Sequence, residues 1–585
     1  MRTAFGHVLA AFLLGLFHPA IGPAQTVDTT DLPPHAAAGR TYMVAADHPL
    51  ASAAGARILA AGGNAFDAAV AVSFAAGVVR PYSTGLGGGG FALLKTAGGT
   101  PVVIDFRECA PEACTADRYL DGEGNPIPRK TVHGPWAAGV PGTLKGATYI
   151  LEHFGTMSLP EVIQPALELA ESGFPVDQHT HEAMVTLAER MQGHPGYPTR
   201  FAELYQTFLT NGEPYAIGDT LRRPRLAETL RLIADGGPDV LYAPEGSLHR
   251  ALVDHMHQSN GPLTSADLAG YELVVREPLA GRFREYETWT MPPPSSGGAV
   301  ISAVLNAVER FERTAPDRGD ANELWPHFLV ECFKHSFADR ASGLGDWDFD
   351  STGRIHRAIK QMTDTSAAAQ IVRDFDPDQT RESDHYGTVT VPDDGGTSHF
   401  CVIDAAGNAV AWTETINLEF GSYEIIPGTG IILNNELDDF SVTAGAANRY
   451  GLVQSEMNLI GPGKRPLSSM SPTIITRDGH PVLLIGGSGG PRIITGTLHA
   501  LLNILEFGLR ADRAVTAPRF HHQWQPDIVR VEPGLDSAVL TGLMRRGHRV
   551  EEYPSSPGIV QLIDCRDSVL IGISDPRKGG RPAGR

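Results

Sequence analysis

Thr397 is the residue of this chain whose position most directly suggests chemistry. It follows Gly395 and Gly396, and residues 397–404 read as a strand. A cut before Thr397 would leave it with a hydroxyl and a free α-amino group, whose pKa of about 8 suits a general base. The two glycines leave the bond before it unobstructed for attack by the Thr397 hydroxyl. The alternative is that Gly-Thr-Ser is only a turn that leads into a strand.

Other segments carry groups that would complete such a site. Residues 485–490 run from a strand into a glycine loop, whose bare N–H groups suit an oxyanion. Arg107 follows a strand and suits bidentate binding of a carboxylate. Residues 434–439 (NNELDD) suit an ammonium group, and residues 468–471 (SSMS) offer hydroxyls. Each also has a structural reading, namely a surface ion pair, a helix cap or a turn.

A dinucleotide-binding fingerprint is present only in its letters. Gly85, Gly87 and Gly90 satisfy GxGxxG, and Asp105 lies at a distance that suits a ribose-binding acid. The fingerprint requires a strand before the glycines and a helix after them. Here the order is reversed, because a helical segment ends at Pro81 and a strand-like segment follows. We therefore expect a tight glycine turn that permits close backbone packing.

The elements around these residues alternate between helical and strand-like blocks. We expect helices in residues 48–79 with a break at 62–64, several helices in 145–260, and a second helical block in 299–371. We expect strands at 91–94 and 102–104, a hairpin of 397–404 with 409–416, strands at 473–476 and 482–485, and a helix at 495–507. The chain is therefore predicted to mix α and β structure.

Two segments are predicted to lie outside the folded core. Residues 372–396 are acidic and rich in Asp, Pro and Gly, which predicts an exposed and mobile connector before Thr397. Residues 1–24 combine Arg2, an apolar run at 8–17 and small residues at 22–24, which predicts a signal peptide cut after Ala24. The run is too short to span a bilayer, so we expect export to the periplasm or the medium.

Composition excludes several classes of protein. The 585 residues carry 47 basic and 67 acidic side chains, for a net charge of −20, and show no basic run. A nucleic-acid partner is therefore not expected. Five cysteines without a CxxC pair exclude a disulfide scaffold and a zinc knuckle. Cys109 and Cys114 could pair after export, but their spacing does not prove a bridge.

Together these motifs resemble the γ-glutamyltransferase family of N-terminal nucleophile hydrolases, also known as γ-glutamyltranspeptidases or glutathione hydrolases. The resemblance extends from Met43 to Arg577, and the motifs occur in the family's order. The motifs that carry the resemblance are HPLASAAG, GGNAFDAAVA, GLGGGGF, IDFRE, GVPG, TSHF, GNAVAWTETINLEFGS, NNELDDFS, GPGKRPLSSMSPT, GGSGGPRIIT and APRFHHQW. The resemblance implies an α+β fold, the αββα sandwich of two antiparallel sheets between helical layers.

The resemblance also implies a division of the chain and a set of roles. The precursor would cut itself between Gly396 and Thr397 into a large subunit, residues 25–396, and a small subunit, residues 397–585. Thr397 would be the nucleophile, Thr415 would orient it, and Gly489 and Gly490 would supply oxyanion-hole amides. Arg107, Ser468 and Ser469 would bind the donor's α-carboxylate. Asn417, Glu436 and Asp439 would bind its α-ammonium group.

The implied reaction uses no metal and no organic cofactor. Thr397 would attack the γ-amide of glutathione or another γ-glutamyl compound, and the glutamyl group would pass to water, an amino acid or a dipeptide. Two alternatives remain open. One is a cephalosporin or glutaryl acylase of the same fold, which need not bind an α-ammonium group. The other is an uncleaved, non-catalytic periplasmic binding protein.

Overall fold

The computed structural model describes residues 31–314, 321–385, 396–443, 455–553 and 558–585. The predicted signal peptide, residues 1–24, lies outside these ranges. Within the described ranges, no helix has both the length and the apolar character needed to cross a membrane.

The helices lie in blocks between the strands, as the sequence predicts. In chain order they are α1 (Pro49–Ala60), α2 (Ala65–Val79), α3 (Thr143–Phe154), α4 (Leu159–Ser172), α5 (Gln178–Gly193), α6 (Tyr197–Arg200), α7 (Ala202–Phe208), α8 (Pro224–Gly236), α9 (Asp239–Tyr242), α10 (Ser247–Gln258), α11 (Ser265–Ala269), α12 (Gly297–Thr314), α13 (Ala321–Gly343), α14 (Arg354–Thr363), α15 (Thr365–Asp374), α16 (Arg492–Leu505), α17 (Ala511–Thr516) and α18 (Ser537–Arg545).

The strands are spread along the whole chain. In chain order they are β1 (Ala36–Gly39), β2 (Met43–Ala46), β3 (Gly89–Lys95), β4 (Val102–Asp105), β5 (Phe174–Pro175), β6 (Leu209–Thr210), β7 (Glu213–Pro214), β8 (Thr220–Leu221), β9 (Val274–Arg276), β10 (Leu279–Phe283), β11 (Tyr286–Thr290), β12 (Ser398–Ile403), β13 (Ala409–Thr415), β14 (Thr473–Arg477), β15 (His480–Ser488), β16 (Phe520–His521), β17 (Val529–Val531), β18 (Val550–Glu552), β19 (Ile559–Asp564), β20 (Leu570–Ser574) and β21 (Ala583–Gly584).

Two seven-stranded sheets form the centre of the molecule. One has the order β1-β20-β19-β15-β14-β11-β10 and the other β21-β2-β12-β13-β3-β4-β9. Neighbouring strands within both sheets are antiparallel. The predicted hairpin is confirmed, since β12 pairs with β13 from Ser398–Glu414 to Ile403–Ala409.

The two sheets pack face to face over an apolar layer that includes Leu93, Cys401 and Leu484. They approach closely where β12 crosses β15, because a Cβ on Gly486 would overlap the ring of His399. The outer face of one sheet is covered by α1, α2 and α3, with α4 packed on α2. That of the other sheet is covered by α12, α16 and α17, with α13, α14 and α15 packed on α12. The predicted αββα sandwich is therefore confirmed.

Local sequence explains the first helical layer. The Asn64 side chain accepts from the amides of Phe66 and Asp67, while the Asp67 carboxylate accepts from Asn64 N, so α2 begins with a reciprocal cap. All fifteen residues of α2 are buried, which suits its content of small and apolar residues. The loop that follows leads to β3, confirming the helix–glycine–strand order. A Cβ on Gly88 would overlap the Thr415 carbonyl, so this loop needs glycine to approach β13.

Part of the predicted acidic connector is packed rather than exposed. Residues up to 374 belong to α15, and Ser383 is 3% exposed. The Ser383 hydroxyl donates to Trp524 O at 2.6 Å, and the buried Lys334 ammonium donates to Thr380 Oγ1 at 2.7 Å. Ser383 is therefore buried against predicted exposure, because Trp524 holds it from a distant part of the chain. Other residues of this stretch, such as Asp378 and Glu382, are exposed as predicted. Residues 386–395 lie outside the described ranges.

Both Cys109 and Cys114 are unpaired thiols.

Candidate active site

Thr397 lies immediately before β12, a central strand of its sheet, and is 5% exposed. Its hydroxyl donates to the carbonyl oxygen of Gly396, at an O···O distance of 2.6 Å. The Thr397 hydroxyl is also 3.2 Å from Thr415 Oγ1. In the uncut chain, the predicted nucleophile therefore lies against the carbonyl of the bond predicted to be cut.

Thr415 and Asn417 hold this peptide from the end of β13. Thr415 Oγ1 donates to Gly396 O at 2.9 Å and accepts from Asn417 N at 2.8 Å. Asn417 O accepts from Gly396 N at 2.9 Å. The Gly396 carbonyl thus receives two hydroxyl donors, and its amide is anchored as well. This arrangement polarises the carbonyl and orients the Thr397 hydroxyl beside it.

A buried ammonium group, which the sequence analysis did not single out, also contacts Thr397. Lys578 Nζ donates to Thr397 O at 2.6 Å and lies 2.8 Å from the Asp47 carboxylate and 3.2 Å from Ser83 Oγ. Burial lowers the pKa of Lys578, and Asp47 partly opposes that shift. Lys578 directly follows Ser-Asp-Pro-Arg at residues 574–577, where the resemblance to the family ends. This position was the signal in the sequence that could have pointed to Lys578. Its contact with Thr397, 181 positions away in the chain, could not be inferred from the sequence.

The glycine loop after β15 presents free amides to the same region. Gly489 and Gly490 have φ values of 119° and 58°, which favour glycine. Within the described residues, neither amide N–H has a hydrogen-bond acceptor. Gly490 lines the cavity that contains Thr397, immediately before α16. The loop can therefore serve as the predicted oxyanion hole.

Arg107 is buried among carboxyl groups after β4. Its Nη1 contacts Glu436, and its Nη2 lies 2.6 Å from Asp439 Oδ2. Burial alone would lower the pKa of Arg107, but Glu436 and Asp439 outweigh it and raise the pKa. The resemblance to the family predicted that the arginine and these two acids bind opposite ends of a ligand. In this structure they are paired with each other.

Three carboxyl groups therefore share one guanidinium. Glu108 lies 3.8 Å from Arg107, and burial raises the pKa of Glu108 to about 7. Burial also raises the pKa of Glu436 well above its usual range, although Arg107 opposes this. Within the described residues, both Glu108 oxygens and Glu436 Oε2 have no hydrogen-bond partner. A cationic group entering here would find carboxyl oxygens ready to accept hydrogen bonds.

Ser468 and Ser469 complete the ring of polar groups. Ser468 Oγ accepts from Met470 N at 3.1 Å, whereas Ser469 Oγ is buried without a partner among the described residues. One cavity of about 20 Å³ brings together most of the predicted site residues, which are Arg107, Thr397, Thr415, Asn417, Glu436, Asp439, Ser468, Ser469 and Gly490. Of the predicted set, Gly396 and Gly489 adjoin this cavity through their neighbours rather than lining it.

The cavity is about as large as one water molecule requires. Because Arg107 is paired with Glu436 and Asp439, a carboxylate that binds Arg107 competes with these two carboxyl groups. An amino-acid zwitterion suits that exchange, since its carboxylate would replace the acids on Arg107 and its ammonium would replace Arg107 on the acids. Each buried charge would keep a partner of opposite sign.

Comparison with known proteins agrees with this geometry. A family model described as gamma-glutamyltranspeptidase matches residues 51–585. The glutathione hydrolase proenzyme of Escherichia coli (strain K12) is 39% identical over 545 residues, covering 93% of this chain and 91% of that protein. The crystal structure of cephalosporin acylase from Bacillus halodurans matches with a TM-score of 0.82 at 26% identity, covering 98% of this chain and 99% of that chain.

The crystal structure of Helicobacter pylori gamma-glutamyltranspeptidase matches with a TM-score of 0.52 at 35% identity. That match covers 57% of this chain and 91% of that chain. The family match, the relative at 39% identity and the shared fold confirm the resemblance carried by the sequence motifs. The chain belongs to the gamma-glutamyltranspeptidase family.

Proposed function

We propose that this chain is the precursor of a γ-glutamyl hydrolase and transferase that acts on glutathione and related γ-glutamyl compounds. The observation that carries the proposal is the contact of Thr397 Oγ1 with the Gly396 carbonyl, supported by Thr415. This contact supports the proposal, because the hydroxyl that would attack, the bond that would be cut and a polarising hydroxyl are then adjacent. The family membership supports the same reaction class.

Maturation is an acyl shift followed by hydrolysis. Thr397 Oγ attacks the Gly396 carbonyl carbon, the C–N bond breaks, and the hydroxyl proton ends on the released α-amino group. The product is an ester between Gly396 and Thr397 Oγ. Water then cleaves that ester, leaving a carboxylate on Gly396 and restoring the Thr397 hydroxyl. Thr415 Oγ1 already donates to the oxygen that becomes negative in the first step.

The two products are expected to remain one particle. In one central sheet, β12 and β13 come after the cut but lie between β2 and β3, which come before it. In the other sheet, β20, β19, β15 and β14 come after the cut but lie between β1 and β11, which come before it. Separating residues 25–396 from 397–585 would therefore break both sheets along their middle strands, so the two pieces act as subunits of one enzyme.

Catalysis then repeats the same chemistry on a bound donor. Arg107, Ser468 and Ser469 hold the donor's α-carboxylate, while Asn417, Glu436 and Asp439 hold its α-ammonium. Thr397 Oγ attacks the γ-carbonyl carbon, and the free α-amino group takes the hydroxyl proton and passes it to the leaving amine. The amides of Gly489 and Gly490 stabilise the oxyanion. The γ-glutamyl ester is released by water as glutamate, or by the amine of an amino acid or dipeptide.

An acylase is the second candidate, because the structure of cephalosporin acylase from Bacillus halodurans has the same fold across nearly the whole chain. The carboxyl groups of Glu108, Glu436 and Asp439 favour a donor with an α-ammonium group. Leaving such buried acceptors unpaired costs about 1–3 kcal/mol or more. The test compares γ-glutamyl and glutaryl anilides, which differ only in that ammonium group.

We expect kcat/KM to be larger for the γ-glutamyl anilide by a factor of about 100, which corresponds to ~2.7 kcal/mol. Equal values for the two substrates, or a preference for the glutaryl anilide, would replace the γ-glutamyl assignment by the acylase.

We further propose that residues 1–24 export the chain to the periplasm or the medium, supported by their apolar run and small residues at 22–24.

A further inference from the structure

A second cavity of about 480 Å³ lies beside the segment 127–136. Its walls come from this segment, from residues between α5 and α7, and from the end of α10. This volume falls in the range of small-molecule sites. It is far larger than the cavity at Thr397, and none of its lining residues is acidic.

Three cations face this cavity: Arg129, Lys130 and Arg200. Among the described residues, none of the three has a carboxylate partner within ion-pair distance. The carboxylate of Glu424, which comes near Arg200 across Gly134, is paired with His255 at 2.9 Å.

Aromatic and imidazole rings contact Lys130 and Arg129. The Lys130 ammonium lies 4.5 Å from the centre of the Trp136 ring and donates to the Arg118 carbonyl. Arg129 contacts His194 Nε2, and the His194 ring stacks on Tyr197 at 4.5 Å. Cation–π and stacking contacts hold side chains without neutralising their charge. The cavity therefore keeps its positive potential.

The backbone also contributes to this arrangement. Arg129 has a φ of 61°, a conformation that costs free energy for a residue with a side chain. Gly134 has a φ of 89°, which favours glycine, and the Arg200 guanidinium lies over it. Arg129 and Arg200 are exposed and Lys130 is half-buried, so all three charges can be reached by a ligand from solvent.

The cavity is separate from the candidate active site. Both adjoin the short 3-10 helix Glu436–Asp439, but they use different residues of it. Asp439 contacts Arg107 in the active site, whereas Asp438 accepts from Thr131 Oγ1 at 2.7 Å in the segment that lines the second cavity. None of the residues that line one cavity lines the other.

We propose that this cavity is a binding site for a small molecule with two or more anionic groups, carboxylates or phosphates. Guanidinium groups bind both kinds of oxyanion bidentately, and Lys130 adds a point charge. The rings of Trp136 and Tyr197 supply walls for the uncharged part of the ligand. The site does not depend on the proposed catalytic function.

The test is a calorimetric titration of the full-length protein as it is purified, with two probes. Tricarballylate has three carboxylates and no amine, so it can be neither a γ-glutamyl donor nor an acceptor. Pyrophosphate tests the phosphate source. The variant is R129Q/R200Q, and the matched control is R225Q, which removes an exposed arginine on α8. R107Q separates this site from the active site.

We expect one equivalent of at least one probe to bind the wild type, and the probe that binds identifies the anion class. The dissociation constant should rise at least tenfold in R129Q/R200Q and should be unchanged in R225Q and R107Q. Added salt should weaken binding. Failure of both probes to bind, equal binding by R129Q/R200Q, or loss of binding in R107Q would overturn the proposal. R200Q alone, with its exposed side chain, serves if the double variant fails to fold.

Discussion

Replacement of Thr415 by valine should slow self-cleavage while leaving the fold intact. Valine has nearly the shape of threonine but lacks the hydroxyl that donates to Gly396 O at 2.9 Å. The same hydroxyl accepts from Asn417 N at 2.8 Å and lies 3.2 Å from Thr397 Oγ1. The substitution therefore removes one of the two donors on the carbonyl to be attacked and one contact that orients the nucleophile.

The magnitude follows from the loss of one oxyanion donor. Removal of such a donor costs about 2.7–4 kcal/mol in the transition state, which slows the reaction by a factor of about 10² to 10³. The loss of the buried hydrogen bond to Asn417 should lower the free energy of unfolding by only about 1–3 kcal/mol. We therefore expect a folded precursor that cleaves at least a hundredfold more slowly than the wild type.

The assay follows newly synthesised, pulse-labelled chain on denaturing gels and records the fraction cut with time. Thr413→Val is the matched control, since Thr413 lies on the same strand and its hydroxyl has one buried partner, His399 Nδ1 at 2.8 Å. This control loses a comparable hydrogen bond without touching Gly396. If T415V cleaved as fast as T413V, the assignment of Thr415 to the cleavage step would be wrong.

Three further predictions concern buried charges. Arg107→Gln should raise the donor KM by a factor of about 100, because a charge-assisted pair with the donor carboxylate is lost. The control Arg57→Gln, which breaks an exposed pair with Glu168, should leave KM unchanged. An unchanged KM in R107Q would mean that the carboxylate binds elsewhere. Burial raises the pKa of Glu414 from 4.5 to about 7, so the folded state favours the protonated form and loses stability as pH rises from 4.5 through 7. Glu414→Gln should therefore raise Tm relative to the wild type at pH 8 but not at pH 4.5, and parallel Tm curves would contradict this. Lys578→Met should shift the acidic limb of the pH profile of kcat/KM to higher pH. The Lys578 cation lowers the pKa of the Thr397 α-amino group, and that effect is lost in the variant. Lys578→Arg keeps the cation and should keep the wild-type profile.

The sequence predicted the parts of the structure that local rules control. The boundaries of α1 and α2 follow from His48, the glycine pair and the Asn64 cap, and the hairpin follows from its turn at residues 405–408. The polar groups of the cavity could be named because each lies in a distinctive motif. The resemblance to a family then joined motifs that lie up to several hundred residues apart.

Other features depend on distances that a sequence does not contain. Asp47 and Lys578 are 531 positions apart, yet they form a buried pair beneath the nucleophile. Arg107 contacts Glu436 and Asp439 directly, although their charges suggested opposite ends of a ligand. The polar composition around Thr380 predicted an exposed connector, whereas Lys334 on α13 donates a hydrogen bond to the Thr380 hydroxyl. In each case the missing information was a tertiary contact.

The central claim is that Thr397 cuts the chain before itself and then serves as the nucleophile. The most direct measurement is denaturing electrophoresis of the purified protein with N-terminal sequencing of each band, alongside Thr397→Ala. We predict two chains in the wild type, one of which begins at Thr397, and a single inactive chain in the variant. An active wild type that remains a single chain, or a T397A variant that is cut and active, would contradict the account.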